Sequence, residues 1–187
     1  MLAEAEAAAA VAREGGLTVS ITFAVAFGCP FEGRIPQSRL AEAIRAVSDW
    51  DIDEVAFADT IGVGVPRQVR EIAELARPHL DDKRLRFHFH NTRNTGYANA
   101  LEAANLANLG EVVLDAAVGG FGGCPFAPRA TGNIGTEDLY YALDASDIEA
   151  TKLNPGSLFE TAEWLSKHLG KPYQSLLPKA GWFPPEA

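Results

Sequence analysis

Strand-like segments recur about every thirty residues along this chain, with helix-like segments between them. That spacing is the βαβ unit, which implies a parallel sheet with right-handed crossovers. Residues 18–26 (TVSITFAVA) are β-branched and apolar and read as the first strand. Residues 54–58 read as the second, the alternating stretch at 85–90 as the third, and residues 112–118 as the fourth. Helices are expected over 2–13, closed by Gly15-Gly16, over 38–47, from Pro66 onward, over 95–109, after an N-cap at Thr136, and over 157–169. A proline-rich tail, 171–187, follows a domain expected to span 1–170. Four strands are half of the eight in a (β/α)8 barrel, and a four-stranded open sheet is the other architecture this pattern allows.

The chain has 187 residues, 47% of them hydrophobic, with a formal net charge of −9. That is enough for one domain with a real core, and the acidic balance argues against nucleic-acid binding. No apolar run is long enough to span a bilayer, and the acidic start is unlike a secretion signal. A cytoplasmic protein without membrane contact is therefore expected. Two cysteines make no disulfide framework, and both lie in Gly-Cys-Pro settings that suggest loops at a site.

Chemistry-bearing residues gather where the strands end. Leu85, Phe87 and Phe89 alternate with Arg86, His88 and His90, which puts both imidazoles on one strand face, close enough to share a cation. Cys29 follows the first strand, Asp59 ends the second, and Cys124 and Asn133 follow the fourth. The carboxyl ends of the strands are the catalytic face of barrels and open α/β sheets alike. Taken singly, Asp59 also suits a turn, Asn133 a Gly-Asn turn, and Cys29 simple packing. The glycines of GGFGGCPFAPRATGN allow backbone to approach a ligand, and Pro125 stiffens the loop carrying the Cys124 thiol. A thiol near cationic groups or a metal can relay protons.

The segments FGCPFEG, ADTIGVG, FHFHNT, GGFGGCPFAPRATGN and TEDLYYAL, in this order, resemble 3-hydroxy-3-methylglutaryl-CoA lyase, a metal-dependent TIM-barrel lyase. The Gly-Gly-Cys-Pro-Phe-Ala loop points to this lyase, whereas Asp-Thr-Ile-Gly and H-x-H occur across the wider superfamily. The resemblance implies a divalent cation, magnesium or manganese, held by His88, His90 and Asn133 with a carboxylate from elsewhere. It implies that Cys124 handles protons and that Asp59 and Glu137 match acidic positions tied to the site, although Glu137 also suits a first helical turn. Arg93 and Arg129 are candidates for neutralising an anionic acyl-CoA substrate, or are surface charges. Asn91 stands where the family more often has aspartate. The implied reaction is retro-Claisen cleavage to acetyl-CoA and acetoacetate; the alternatives are a related acyl-CoA lyase or Claisen synthase of the same superfamily, or a non-catalytic half-barrel fragment.

The family's barrel opens on a strand bearing Arg-Asp-Gly, and this chain has no such tripeptide. The chain therefore resembles the carboxyl-terminal half of a TIM-barrel lyase, with the amino-terminal half absent. A half barrel leaves two unpaired strand edges and an uncovered inner face. A homo-oligomer, or a complex with a missing amino-terminal half-barrel, is the expected partner arrangement.

Overall fold

The computed structural model describes residues 2–123 and 131–184. Its centre is one four-stranded sheet of β1 (Ser20–Phe23), β2 (Glu54–Asp59), β3 (Arg84–Phe89) and β4 (Val112–Asp115). The strands lie in chain order and all neighbours are parallel. The helices are α1 (Leu2–Glu14), α2 (Gln37–Val47), α3 (Pro66–Leu80), α4 (Gly96–Ala104), α5 (Thr136–Asp144), α6 (Pro155–Leu169) and the short α7 (Leu177–Ala180). This is the α/β arrangement of consecutive units in a partial (β/α)8 barrel: each strand feeds a helix, which returns to the next parallel strand. No helix of the described residues is long and apolar enough to cross a membrane.

Period-two alternation decides which side of the sheet is covered. Leu85, Phe87 and Phe89 are buried, while Arg84, Arg86 and His88 are only partly so. On the covered side, Phe57 lies 5.6 Å from Phe87, which stacks on Phe89 at 5.9 Å. Phe23 and Phe27 extend this aromatic row at either end. Against it pack Leu40, Ile44 and Val47 of α2, Val69, Ile72, Ala73 and Leu80 of α3, and Ala100 and Ala103 of α4. Those residues recur at helical spacing, so each helix buries one apolar stripe. The other face carries Ser20, Glu54, Arg86, His88 and Asp115, with Ser20 paired to Glu54 and His88 to Asp115 across neighbouring strands. β1 and β4 each end the sheet with one edge unpaired among the described residues.

Several boundaries differ from the sequence reading for local reasons. β1 is shorter than 18–26 because the chain turns after Phe23 and Val25 bridges antiparallel to Asp59. The fourth strand stops at Asp115, and Val118–Gly120 coils into a single 3-10 turn with Gly119 at φ 69°. Thr136 is the first residue of α5, and extended Gly135 is its N-cap. Helix α4 ends at Ala104, and Ala107–Leu109 forms a separate 3-10 turn. Asn154 caps α6 by accepting the Ser157 N–H at 2.9 Å, and left-handed Gly170 closes it.

The residues after α6 lie against α5. Asp138 accepts the backbone N–H groups of Leu176 and Leu177, and Trp182 packs on Tyr140 and Tyr141 at 5.7 and 5.1 Å.

Candidate metal centre

The ends of β3 and β4 are tied together by the strap at residues 131–136. Ile134 donates its N–H to the Phe89 carbonyl and Asn91 donates to that of Gly132. On the other side, Ala117 donates to Ile134 and Thr136 to Ala117. This ladder makes His90 and Asn133 bridge partners, so residues forty-odd positions apart in sequence become neighbours.

Within this frame His88 and His90 face each other, with Nε2 atoms 3.3 Å apart. The Nδ1 of His88 lies 3.2 Å from Asp115 Oδ2, and the Nδ1 of His90 lies 3.1 Å from the Thr131 carbonyl. A carbonyl and a carboxylate only accept, so both rings carry their proton on Nδ1 when neutral. Two Nε2 lone pairs then point at one another. Such a contact is unfavourable unless a proton or a cation lies between them. Burial pushes His90 below its ordinary value, with the neighbouring His88 adding to the shift. Adjacent ligands of one octahedral ion are also about 3 Å apart when each lies ~2.1 Å from the metal.

Asn133 is the bridge partner of His90. Its Nδ2 donates to the Phe121 carbonyl at 3.0 Å. That bond fixes the amide so that Oδ1 is the free oxygen, and this buried atom finds no partner among the described residues. Two imidazole nitrogens and an amide oxygen are donor types that suit magnesium or manganese. No group of three histidine, cysteine or carboxylate side chains with metal-holding geometry occurs among the described residues. Of the metal candidates read from the sequence, His88 and His90 face each other and Asn133 is the bridge partner of His90.

The two acidic candidates are engaged otherwise. Asp59 shares the strand parity of Phe57 and Phe89 rather than that of His88. It is fully buried, and its oxygens accept the N–H groups of Val63 and Gly64 at 2.9 and 2.8 Å. Burial holds its carboxyl above the ordinary range against the pull of those amides. The carboxylate therefore braces the loop after β2. Glu137, also fully buried, accepts the Gly119 N–H at 2.8 Å and the Ser175 hydroxyl at 2.9 Å, locking the 3-10 turn to the segment after α6. Arg93 donates to the carbonyls of Ile61 and Gly62 at 2.7 and 3.1 Å, which clamps the same loop that Asp59 braces. Cys29 is buried in a tight turn with Gly33. Cys124 and Arg129 lie outside the described residues.

Sequence reasoning does not reach Asp115, Thr131 or Tyr97. Tyr97 accepts the Gly135 N–H at 2.8 Å and donates to Asp138 at 3.0 Å, pinning the start of α5, and burial holds its phenol well above the ordinary range. Asp115 needs the parallel register, which makes it the cross-strand partner of His88.

Comparison with known proteins gives the family and the fold. The chain is 41% identical over 173 residues to an (R)-citramalyl-CoA lyase of Chloroflexus aurantiacus, covering 90% of this chain and 52% of that protein. It is 35% identical over 164 residues to the hydroxymethylglutaryl-CoA lyase YngG of Bacillus subtilis, covering 88% of this chain and 54% of that protein. The solved HMG-CoA lyase of Bacillus subtilis superposes with a TM-score of 0.85 at 32% identity, covering 96% of this chain and 59% of that one. An HMG-CoA lyase from Acinetobacter baumannii, solved in complex with coenzyme A and 3-methylmalate, gives 0.80 at 33% identity, covering 96% and 58%. The chain thus spans about half the length of the curated relatives it matches. A model of the HMGL-like family matches residues 1–165, and the chain belongs to the HMGL-like family.

Proposed function

We propose that this chain carries the cation-binding and proton-transfer half of an acyl-CoA lyase that cleaves 3-hydroxy-3-methylglutaryl-CoA to acetyl-CoA and acetoacetate. The observation that carries the reading is the pair of facing Nε2 atoms 3.3 Å apart, with Asn133 bridged to His90 and its buried oxygen unpartnered among the described residues. His88, His90 and Asn133 would hold magnesium or manganese. Such a cation would supply Lewis acidity toward the substrate.

In the reaction a base takes the hydroxyl proton and the bond between the α and β carbons breaks. Its electron pair passes to the acetyl-CoA enolate, and acetoacetate leaves with the new ketone. Cys124, in the Gly-rich segment that precedes the strap in sequence, is the thiol assigned to protonating the enolate carbon. Asp59, Arg93 and Glu137 shape the surrounding loops, since their polar atoms bond to backbone there. Arg129 remains the candidate for the anionic end of the substrate. A carboxylate ligand not found among the described residues, and sheet edges unpaired among them, support a partner: an amino-terminal half-barrel, or a second copy of the chain.

A related acyl-CoA lyase is the second reading, favoured by the higher identity to the citramalyl-CoA lyase. Citramalyl-CoA is one methylene shorter and would break at the equivalent bond, giving acetyl-CoA and pyruvate. The test mixes the chain with Mn2+ and a separately produced amino-terminal half of a family member, and supplies each thioester in turn. Acetyl-CoA with acetoacetate supports the first reading, and acetyl-CoA with pyruvate the second. No cleavage of either thioester by the complemented protein refutes both, and full turnover by the chain alone refutes the need for a partner.

A further inference from the structure

The row of polar side chains on the uncovered sheet face has no part in the reaction as described. Ser20 of β1, Glu54 of β2, Arg86 of β3 and Asp115 of β4 lie along it. Arg86 donates to the Ser20 hydroxyl at 3.0 Å, lies 3.1 Å from Glu54 Oε1 and reaches Asp115 Oδ1 at 3.9 Å. The other Asp115 oxygen, Oδ2, meets His88 Nδ1. The row thus runs across all four strands and ends on an imidazole of the metal centre. Ordinary barrel packing would fill this face with branched apolar side chains. Charges are costly there unless each has a partner, and here each has one.

We infer that Asp115 is a positioning residue: it holds His88 in the Nδ1–H tautomer and at the ring rotation that directs Nε2 toward His90 and Asn133. Arg86 draws on one Asp115 oxygen from the side, which leaves the other aimed at His88. His90 receives only a neutral carbonyl from Thr131, so the two imidazoles are supported differently. A carboxylate behind a ligating imidazole fixes the ring and makes it a better donor. The inference rests on the cation reading above, and its test separates the two.

The measurement is the 15N NMR tautomer of His88 in the chain without metal, together with Mn2+ affinity from the EPR signal of free Mn2+. In the unmodified protein His88 is expected with its proton on Nδ1. Asp115→Ala removes the acceptor, so the proton redistributes toward Nε2. Asp115→Asn is nearly isosteric and offers an N–H to Nδ1, which drives the proton to Nε2 and occupies the ligand position. Mn2+ affinity should fall about 10–100-fold in both variants, while His90 keeps its tautomer. Because Glu54 and Ser20 still hold Arg86, both variants are expected to fold, and thermal melts check this. An unchanged His88 tautomer in both variants overturns the inference, as does a changed tautomer with affinity within about twofold of the unmodified chain. If the unmodified chain takes up no Mn2+, the cation reading fails, and the NMR result still decides whether Asp115 sets the ring.

Discussion

Replacing Gly122 by alanine tests whether the free Asn133 oxygen is held in place by its surroundings or merely happens to point inward. A Cβ built at Gly122 would lie 2.4 Å from Asn133 Nδ2, about 0.6 Å inside the 3.0 Å that real Cβ contacts respect. The amide must therefore swing or shift. Doing so breaks the Nδ2–Phe121 carbonyl bond that orients it, a loss of about 0.5–1.5 kcal/mol. Gly122 also sits at φ 115°, where an L-residue carries roughly 1–3 kcal/mol of strain. Either the Asn133 oxygen leaves its position or the loop does, and the cation loses one of three ligands. We expect Mn2+ affinity to fall about 10–100-fold, judged by perturbations of comparable size around metal ligands. Gly123→Ala is the matched control, because a Cβ there meets nothing within 4 Å among the described residues. EPR titration of free Mn2+ reads both variants. Equal losses in the two would mean that loop flexibility, not the Asn133 amide, governs binding. An unaffected Gly122→Ala would refute Asn133 as a ligand.

Three further outcomes follow from the packing and the charges. Phe87 is fully buried between Phe57 and Phe89, so Phe87→Ala should cost about 3–5 kcal/mol in chemical denaturation, with a loss below ~1 kcal/mol contradicting a packed core. Tyr97→Phe strands the Gly135 N–H and removes a donor to Asp138; a loss of about 1–3 kcal/mol is expected in the same assay. Asp53 accepts the Val19 N–H at 2.7 Å and pairs with Arg13, which holds its carboxyl below the ordinary value of 3.8. Its contribution is therefore present above that value and lost as pH falls toward the lower folded one. Asp53→Asn should flatten the acid limb of a stability-versus-pH curve, and an unchanged limb would show that the pair contributes nothing.

What the sequence discloses depends on how local the cause is. The four strands were legible because side-chain alternation and βαβ spacing are set by nearest neighbours in the chain. The facing of His88 and His90 follows from the same alternation, and the structure places their Nε2 atoms 3.3 Å apart. Asn133 required the strap between β3 and β4, which only the Ile134–Phe89 and Ala117–Ile134 hydrogen bonds create. The engagement of Asp59 and Glu137 by backbone amides was not legible, since a carboxylate at a strand end and one in a first helical turn look the same whether they meet a substrate or a loop. Thr136 has the chemistry of an N-cap, yet extended Gly135 takes that place because Tyr97 holds the Gly135 N–H. Asp115 went unread because its meaning lies in register: it is the cross-strand neighbour of His88, 27 residues away.

The account stands on a cation shared by two imidazoles. Electron spin-echo spectroscopy of the Mn2+-loaded chain counts directly bound nitrogens. Two imidazole couplings are predicted, falling to one in His88→Ala and to one in His90→Ala. Manganese that shows only water in its coordination shell, or couplings that survive both substitutions, would contradict it.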